Sequence, residues 1–218
     1  FLYGPMPTQP FGWFKKPVRK LADLRGLRFR TVGLAAEMYQ ALGVEVNPLP
    51  AAEIVPALDR DIIDAAEFNN ATSDLELGLP DVARHCLLQS FHQSAEQFEV
   101  TFNRARFEAL PEELRAIVRH AVEAASADMS WKAIDRYSRD YLKMQDKVRF
   151  GKTPDALLRR QLEAWERIVA GKSAENPMFR KVSESMRAFA ARACRWQNDT
   201  LADYKMAYRH FFGPGKRG

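Results

Sequence analysis

The stretch GLRFRTVGLAAEMYQALGVEVNPL (residues 26–49) decides the fold class of this 218-residue chain. It predicts a strand that ends at Arg30, a helix over residues 33–42 and a second strand over residues 44–49. Gly43 stands where a helix C-cap is expected, and the residues after it alternate between apolar and polar as a strand does. The stretch therefore has the strand–helix–strand order of an α/β fold.

A third strand is predicted over residues 62–68, after another helical segment. It ends in a polar cluster made of Glu67, Phe68 and Asn69. Because crossovers between parallel strands bring their carboxyl ends to one edge of the sheet, we expect Arg30 and this cluster to face one cleft.

Composition narrows the class of protein without identifying it. The chain is 46% apolar and carries a net charge of +5, but its basic residues are scattered among nearly as many acids. That balance does not favour a nucleic-acid partner. No stretch approaches the roughly 18 apolar residues of a membrane span. Cys86 and Cys194 fit neither a redox nor a zinc motif, so both are predicted to be buried free thiols.

The second half of the chain is predicted to be mainly helical. From Pro111 to Tyr141 apolar residues keep helical spacing, and no Gly or Pro follows before Gly151. This pattern predicts either two helices with a break near Ser126 or one long spine helix.

Two more helical regions follow. One is predicted over residues 155–170 and is expected to stop at Gly171; the last runs from Pro177 to about residue 212. Among the shorter segments, residues 4–10 contain three prolines and are predicted to form a loop, while the alternation in residues 98–102 predicts a strand.

Four motifs carry a resemblance to a known family: TQPFGWFKKP, DLRGLRFRTVGLAAEMYQALG, EIVPALDRDIIDAAEFNNATSDLELGL and NRARFEALPEEL. Together they resemble the solute-binding proteins of tripartite ATP-independent periplasmic (TRAP) transporters, in the branch that binds keto acids and other small carboxylates. The resemblance implies a periplasmic protein that is not an enzyme. It also implies two α/β lobes around a cleft.

The resemblance further implies that this chain is the C-terminal part of a longer protein, with one complete C-terminal lobe, part of the N-terminal lobe and long C-terminal helices. Residues 1–95 would begin the C-terminal ligand-binding lobe, and residues 96–136 would return to the N-terminal lobe. Residues 137–218 would hold the end of the spine helix, a strand and the C-terminal helices that pack on the C-terminal lobe.

Specific roles follow from the same resemblance. Arg30 matches the arginine that pairs with the ligand carboxylate, for which a guanidinium offers a planar two-bond fork. Gln9, Glu67 and Phe68 match the residues that hold a cation, sodium or calcium, beside the ligand, with Phe68 in place of the usual Trp. Asn69 is expected to contact the ligand as part of the Glu67 cluster.

The segment SFHQSAEQ (residues 90–97) departs from the bulky, glycine-containing segment of keto-acid binders. It places His92 at the predicted site. The expected partners are a small organic carboxylate, the membrane permease of the transporter and, through the C-terminal helices, a second copy of the chain.

Two alternatives of other classes are open at this point. His92, Glu96 and Glu99 stand at i, i+4 and i+7, which on a helix would align three ligands of a metal-dependent hydrolase. The absence of an HExxH motif and the predicted strand both count against it. The long C-terminal helices alternatively suggest a helical dimerisation or interaction module.

Overall fold

The computed structural model describes residues 2–7, 9–93 and 95–213. These residues divide into two compact units, with the boundary between Glu166 and Arg167. Within the described residues, every helix is too short or too polar to cross a membrane.

The described residues contain eight strands: β1 (Leu2–Pro7), β2 (Gly12–Phe14), β3 (Arg28–Arg30), β4 (Glu45–Val46), β5 (Ala65–Ala66), β6 (His85–Leu87), β7 (Ala95–Glu99) and β8 (Arg149–Gly151). They also contain nine α-helices: α1 (Leu34–Ala41), α2 (Ala51–Asp59), α3 (Ala71–Leu77), α4 (Leu79–Val82), α5 (Arg104–Glu108), α6 (Glu112–Met144), α7 (Asp155–Glu175), α8 (Pro177–Thr200) and α9 (Tyr204–Phe212).

Six strands form one mixed sheet in the order β4-β3-β5-β2-β6-β8. Strand β3 pairs in parallel with both β4 and β5, which confirms the predicted strand–helix–strand units. Strand β2, which the sequence did not reveal, runs antiparallel to β5 and β6. Three residues, GWF, are too few for an alternation to be recognised.

The core of the sheet is aromatic. Trp13 and Phe14 of β2 are buried and pack in this core. Phe29 of β3 stacks on Tyr39 of α1 with 4.5 Å between ring centroids, and the ring of Phe11 meets Tyr39 edge-on at 5.3 Å. These rings fix α1 against the sheet directly behind the end of β3.

Helix α3 starts at the carboxyl end of β5 with a capped N-terminus. The side chain of Asn70 accepts hydrogen bonds from the backbone N–H groups of Thr72 and Ser73. Gly78, with φ of 91°, ends α3 in the left-handed conformation and leads directly into α4.

The N-terminal segment differs from its prediction. Residues 4–7, predicted as loop, belong to strand β1, which pairs antiparallel with β7 in a separate two-stranded sheet. Each strand of such a ribbon has one edge that pairs with no other strand. A proline can stand at that edge because no hydrogen bond from a backbone N–H is needed there. Strand β7 covers residues 95–99 and so begins three residues earlier than the strand predicted over residues 98–102.

The helical half decides between the two alternatives for α6, and two other expectations, for the end of α7 and for Cys194, are corrected. Helix α6 continues through Ser126 without a break, so the single-spine alternative holds. Helix α7 passes through Gly171 and ends only at Glu175, because one glycine weakens a helix without stopping it. Cys86 is a buried free thiol as predicted, whereas Cys194 is free but exposed on α8.

Candidate functional site

Arg30 and Glu67 meet at the carboxyl ends of the parallel strands β3 and β5. The Nη1 atom of Arg30 donates to the Glu67 carboxylate at 3.2 Å and to the Glu67 backbone carbonyl at 3.0 Å, while Nε donates to the carbonyl of Leu49 at 2.9 Å. Arg30 is 6% exposed and Glu67 is 4% exposed. Burial lowers the pKa of Arg30, and the Glu67 carboxylate opposes that shift.

The pair retains unused hydrogen-bonding capacity. The three bonds of Arg30 occupy Nε and Nη1, so Nη2 has no acceptor among the described residues. The Oε2 atom of Glu67 lies 3.8 Å from Nε2 of His92, beyond hydrogen-bond distance. One donor edge and one acceptor atom thus remain available in a buried ion pair.

These atoms border a cavity of about 240 Å³. Its lining includes all six predicted site residues and four others: Gln9, Arg30, Val32, Ala35, Glu67, Phe68, Asn69, His92, Gln93 and Glu96. The structure therefore brings together residues that are more than 80 positions apart in the sequence.

His92 is held by a chain of hydrogen bonds that starts on α7. Gln161 accepts the Phe91 N–H through Oε1 at 3.0 Å, and its Nε2 donates to Ser90 Oγ at 2.8 Å. Ser90 Oγ lies 2.6 Å from His92 Nδ1, and His92 Nε2 lies 3.0 Å from Gln9 Oε1. This arrangement fits the neutral imidazole with its proton on Nε2, donated to the Gln9 amide oxygen.

A buried carboxyl supports the Glu67 cluster from behind. Asp74 of α3 is completely buried and accepts hydrogen bonds from Trp13 Nε1 at 2.7 Å and from the Asn69 backbone N–H at 2.9 Å. Burial raises the pKa of Asp74 to about 7; the two donors lower it, but not enough to offset desolvation. Asp74 thereby fixes the backbone at Asn69.

Glu96 projects from β7 into the same lining. Its Oε2 atom is buried and has no hydrogen-bond partner in the part of the chain that the structure describes. Burial raises the pKa of Glu96, the side chain of Asn69 lowers it, and the charge of Glu67 raises it again. Glu96 is thus a second acid beside Glu67.

The helical alignment of His92, Glu96 and Glu99 does not exist in the structure. His92 lies in a turn, and the two glutamates lie on strand β7, which does not place residues four apart as one turn of a helix does. Among residues 2–7, 9–93 and 95–213, no group of three or more His, Cys, Asp and Glu side chains could hold a metal ion. The geometry expected of a metal hydrolase is therefore absent there.

The predicted cation ligands form a different kind of donor set. The Gln9 amide, the Glu67 carboxylate and the Phe68 backbone supply only oxygen atoms, which suit a hard cation such as sodium or calcium. The free Oε2 of Glu67 and the partnerless Oε2 of Glu96 face no positive side chain other than Arg30 among the described cavity residues. The residues present therefore fit a cation.

Comparison with known proteins shows the family. Residues 8–170 match the model of the DctP family, bacterial extracellular solute-binding protein family 7. The match covers most of the chain, and the chain belongs to this family. Membership confirms the resemblance to solute-binding proteins, which are transport components and not enzymes. It also confirms the extracytoplasmic, periplasmic localisation.

One curated relative is the monocarboxylate 2-oxoacid-binding periplasmic protein of Nostoc sp. (strain PCC 7120), which is 36% identical over 129 residues. The aligned part is 59% of this chain and 35% of that protein. The chain thus spans about a third of the length of this relative.

Two solved structures show the fold. A TRAP solute-binding protein from Colwellia psychrerythraea, with bound calcium and pyruvate, has a TM-score of 0.86 at 25% identity over 97% of this chain and 64% of that one. A TRAP solute-binding protein from Pseudoalteromonas atlantica T6c, with bound sodium and pyruvate, has a TM-score of 0.83 at 26% identity over the same shares. The predicted α/β binding-protein fold is confirmed.

Sequence reasoning missed four residues that shape the site. No sequence pattern gives a site role to Tyr39, Ser90, Asp74 or Gln161; each acts through a hydrogen bond to a residue far away in the chain. The one available signal was compositional, since a Gln or Asp within an apolar helix face is unusual and usually has a buried partner.

Proposed function

We propose that this chain is the ligand-binding part of the solute-binding component of a TRAP transporter. It captures a small organic carboxylate, with a 2-oxo acid such as pyruvate as the representative ligand, and the loaded protein delivers it to the membrane permease. Family membership and the ligands named for the solved relatives support this function. The observation that carries it for this chain is the buried Arg30 with a free donor edge on a cavity.

In this proposal Arg30 neutralises the ligand carboxylate. Its Nη2 donates to one carboxylate oxygen, and the guanidinium is already held in place through Nε and Nη1, so little rotamer entropy is lost on binding. Burial strengthens this charge-assisted bond because little water competes for it.

The cation would be held by Gln9, Glu67 and Phe68, and its positive charge would bring a second ligand oxygen to the site. His92 acts through Gln9: its Nε2–H holds the amide oxygen in place at 3.0 Å. Asn69, whose backbone N–H is held by Asp74, also lines the cavity. No bond is made or broken in the ligand.

Capture depends on closure in the complete protein. Relatives are longer than this chain, and the assignment of residues 1–95, 96–136 and 137–218 to lobes stays a prediction. A ligand drives closure only as far as it binds the closed form better than the open one.

A matched pair of variants on one strand tests the role of Arg30. Arg30→Lys and Arg28→Lys make the same substitution two residues apart on β3, and only Arg30 lines the cavity. Melting temperatures are measured with pyruvate and calcium, pyruvate and sodium, and neither. A ligand that binds the native state raises the melting temperature by mass action.

We expect pyruvate to raise the melting temperatures of the unmodified chain and of Arg28→Lys. The melting temperature of Arg30→Lys should not change when pyruvate is added. Equal stabilisation of all three proteins would remove Arg30 from the site. If no 2-oxo or 2-hydroxy acid stabilises the folded chain, capture of a carboxylate by these residues is wrong.

We further propose a homodimer through the C-terminal helices. Five large apolar side chains of α8 lie along one face and are 49–67% exposed: Met178, Val182, Met186, Phe189 and Trp196. An exposed stripe of this length is typical of a helix that packs against another subunit.

Sedimentation analysis of two variants of α8 tests the dimer. Phe189→Glu should be a monomer, whereas Ala191→Glu, on the opposite face of the helix, should remain a dimer. A monomer in the unmodified chain would refute the dimer.

A further inference from the structure

The cavity beside Arg30 contains two carboxylates. Glu67 comes from the end of β5 and Glu96 from β7, and both side chains line the cavity. The cation site that the resemblance implied needs only the first of them. Glu96 therefore stands at the site without an assigned role.

The surroundings of Glu96 offer it no counter-charge. Its Oε2 is buried and has no hydrogen-bond partner among the described residues, an unusual state for a carboxylate oxygen. Arg30, already bonded to Glu67, is the one positive side chain among the described residues that line the cavity with Glu96, while the Asn69 side chain donates to Glu96 and Glu67 repels it. A buried acid beside another acid calls for a cation or a proton donor.

Formal charges indicate which cation. Arg30 contributes one positive charge, and Glu67 and Glu96 contribute two negative charges, while the hydrogen bonds of His92 fit the neutral ring. A monocarboxylate ligand adds one more negative charge, which leaves the closed site two negative charges from neutrality. A divalent cation restores neutrality, whereas a monovalent one leaves an uncompensated buried charge.

We propose that Glu96 is a second carboxylate of the cation site and that it makes the site selective for a divalent cation, represented by calcium, over a monovalent one, represented by sodium. The inference rests on the proposed function and sharpens it. Both kinds of cation accompany pyruvate in the solved relatives described above, so the choice between them is a property of the individual site. The number of charged oxygen ligands is the ordinary means of setting calcium affinity.

The test compares Glu96→Gln with Glu99→Gln. Both replace a β7 glutamate by its neutral isostere, but Glu99 is exposed and does not line the cavity. Calorimetric titrations of pyruvate are run on each folded protein in calcium-containing and in sodium-containing buffer. A further titration uses L-alanine without divalent cation, because its ammonium group could occupy the place of the cation.

The unmodified chain and Glu99→Gln should bind pyruvate more tightly with calcium than with sodium. The affinity of Glu96→Gln for pyruvate should be about tenfold lower than that of the unmodified chain in the calcium buffer and little changed in the sodium buffer. The preference for calcium over sodium should therefore fall or reverse. If Glu96→Gln keeps the calcium preference, the inference is wrong and the proposed function stands.

Two other outcomes also decide the matter. Binding of L-alanine that disappears in Glu96→Gln would mean that the two carboxylates hold an ammonium group, which overturns the cation. Failure of the unmodified chain to bind pyruvate in either buffer would refute the proposed function, and the cation site would fall with it.

Discussion

Strand β3 carries an arginine at each end, and the two arginines differ in what they have left to bind. At its start, Arg28 forms a bidentate pair with Asp64, with Nε–Oδ2 and Nη2–Oδ1 distances of 2.9 and 2.8 Å. At its end, Arg30 reaches Glu67 through Nη1 alone. We call these the closed pair and the open pair.

The difference separates stability from function. The closed pair is partly exposed, and its two parallel bonds satisfy both charged groups, so it contributes modestly to the fold. The open pair is buried, which costs desolvation, and it leaves a donor edge and an acceptor atom unfilled. An ion pair that is buried and incomplete is better explained by ligand binding than by stabilisation.

The largest expected effect concerns the acids on either side of β5. Arg28 lowers the pKa of Asp64, whereas burial without a counter-charge raises the pKa of Asp74 to about 7. A raised carboxyl pKa means that the native state holds its proton longer than the unfolded state does. The stability that protonated Asp74 contributes is therefore present below about pH 4 and is lost as the pH rises from about 4 to about 7, with a slope of up to about 1.4 kcal/mol per pH unit.

Urea unfolding of Asp74→Asn across this pH range should show a flatter profile than the unmodified chain. Asp64→Asn should act with the opposite sign: stability from Asp64 is present above its unfolded pKa and is lost as pH falls through its lowered folded pKa. This variant should flatten only the acidic limb. If both variants shift the same limb, the two acids do not differ as described.

The second effect concerns ligand affinity. Glu67→Gln keeps an oxygen for Arg30 but removes the charge that a cation needs, so cation-dependent pyruvate binding should weaken about a hundredfold. Asp64→Asn at the closed pair should leave the affinity unchanged. Isothermal titration checks both, and equal losses would mean that the open pair has no special role.

A third, smaller effect tests the support behind the open pair. Trp13→Phe removes the N–H group that donates to Asp74 at 2.7 Å and should lower the free energy of unfolding by about 2 kcal/mol at pH 8. The loss should shrink at pH 5, where a protonated Asp74 needs the donor less. A pH-independent loss would assign the effect to lost packing volume alone.

The smallest effect distinguishes two polar groups without partners. Thr31 Oγ1 and Glu96 Oε2 are both buried and unbonded, but Thr31 does not line the cavity. Thr31→Val should therefore leave pyruvate binding unchanged and raise stability by about 0.5–1 kcal/mol, because it removes an unsatisfied hydroxyl without changing shape. Weaker pyruvate binding in this variant would place Thr31 at the site.

Local sequence patterns predicted, for a physical reason, that Arg30 and the Glu67 cluster face one cleft. Parallel strands deliver their carboxyl ends to one edge, so the positions of Arg30 and Glu67 followed from the order of elements. Strand β2 could not be predicted in the same way: its two antiparallel partners are 51 or more residues away in the sequence, and three residues carry no periodicity.

The remaining parts of the site depend on long-range side-chain bonds. Gln161 lies 71 residues from Ser90, and no spacing rule connects an amide on α7 with a turn before β7. The sequence indicates only one role for Glu96, that of a metal ligand on a helix, and the predicted strand counts against that role. What that strand does is place Glu96 beside a second acid.

The hydrogen-bond chain from Gln161 through Ser90 and His92 to Gln9 has a consequence for how ligand preference can evolve. Replacing His92 alone by a bulkier residue would remove its contacts with Ser90 Oγ and with the Gln9 amide oxygen at once, so such a change is tolerated only after or together with changes at the other positions. Substitutions along the chain should be strongly epistatic. Laboratory evolution toward a new ligand would need to alter these four positions as a set.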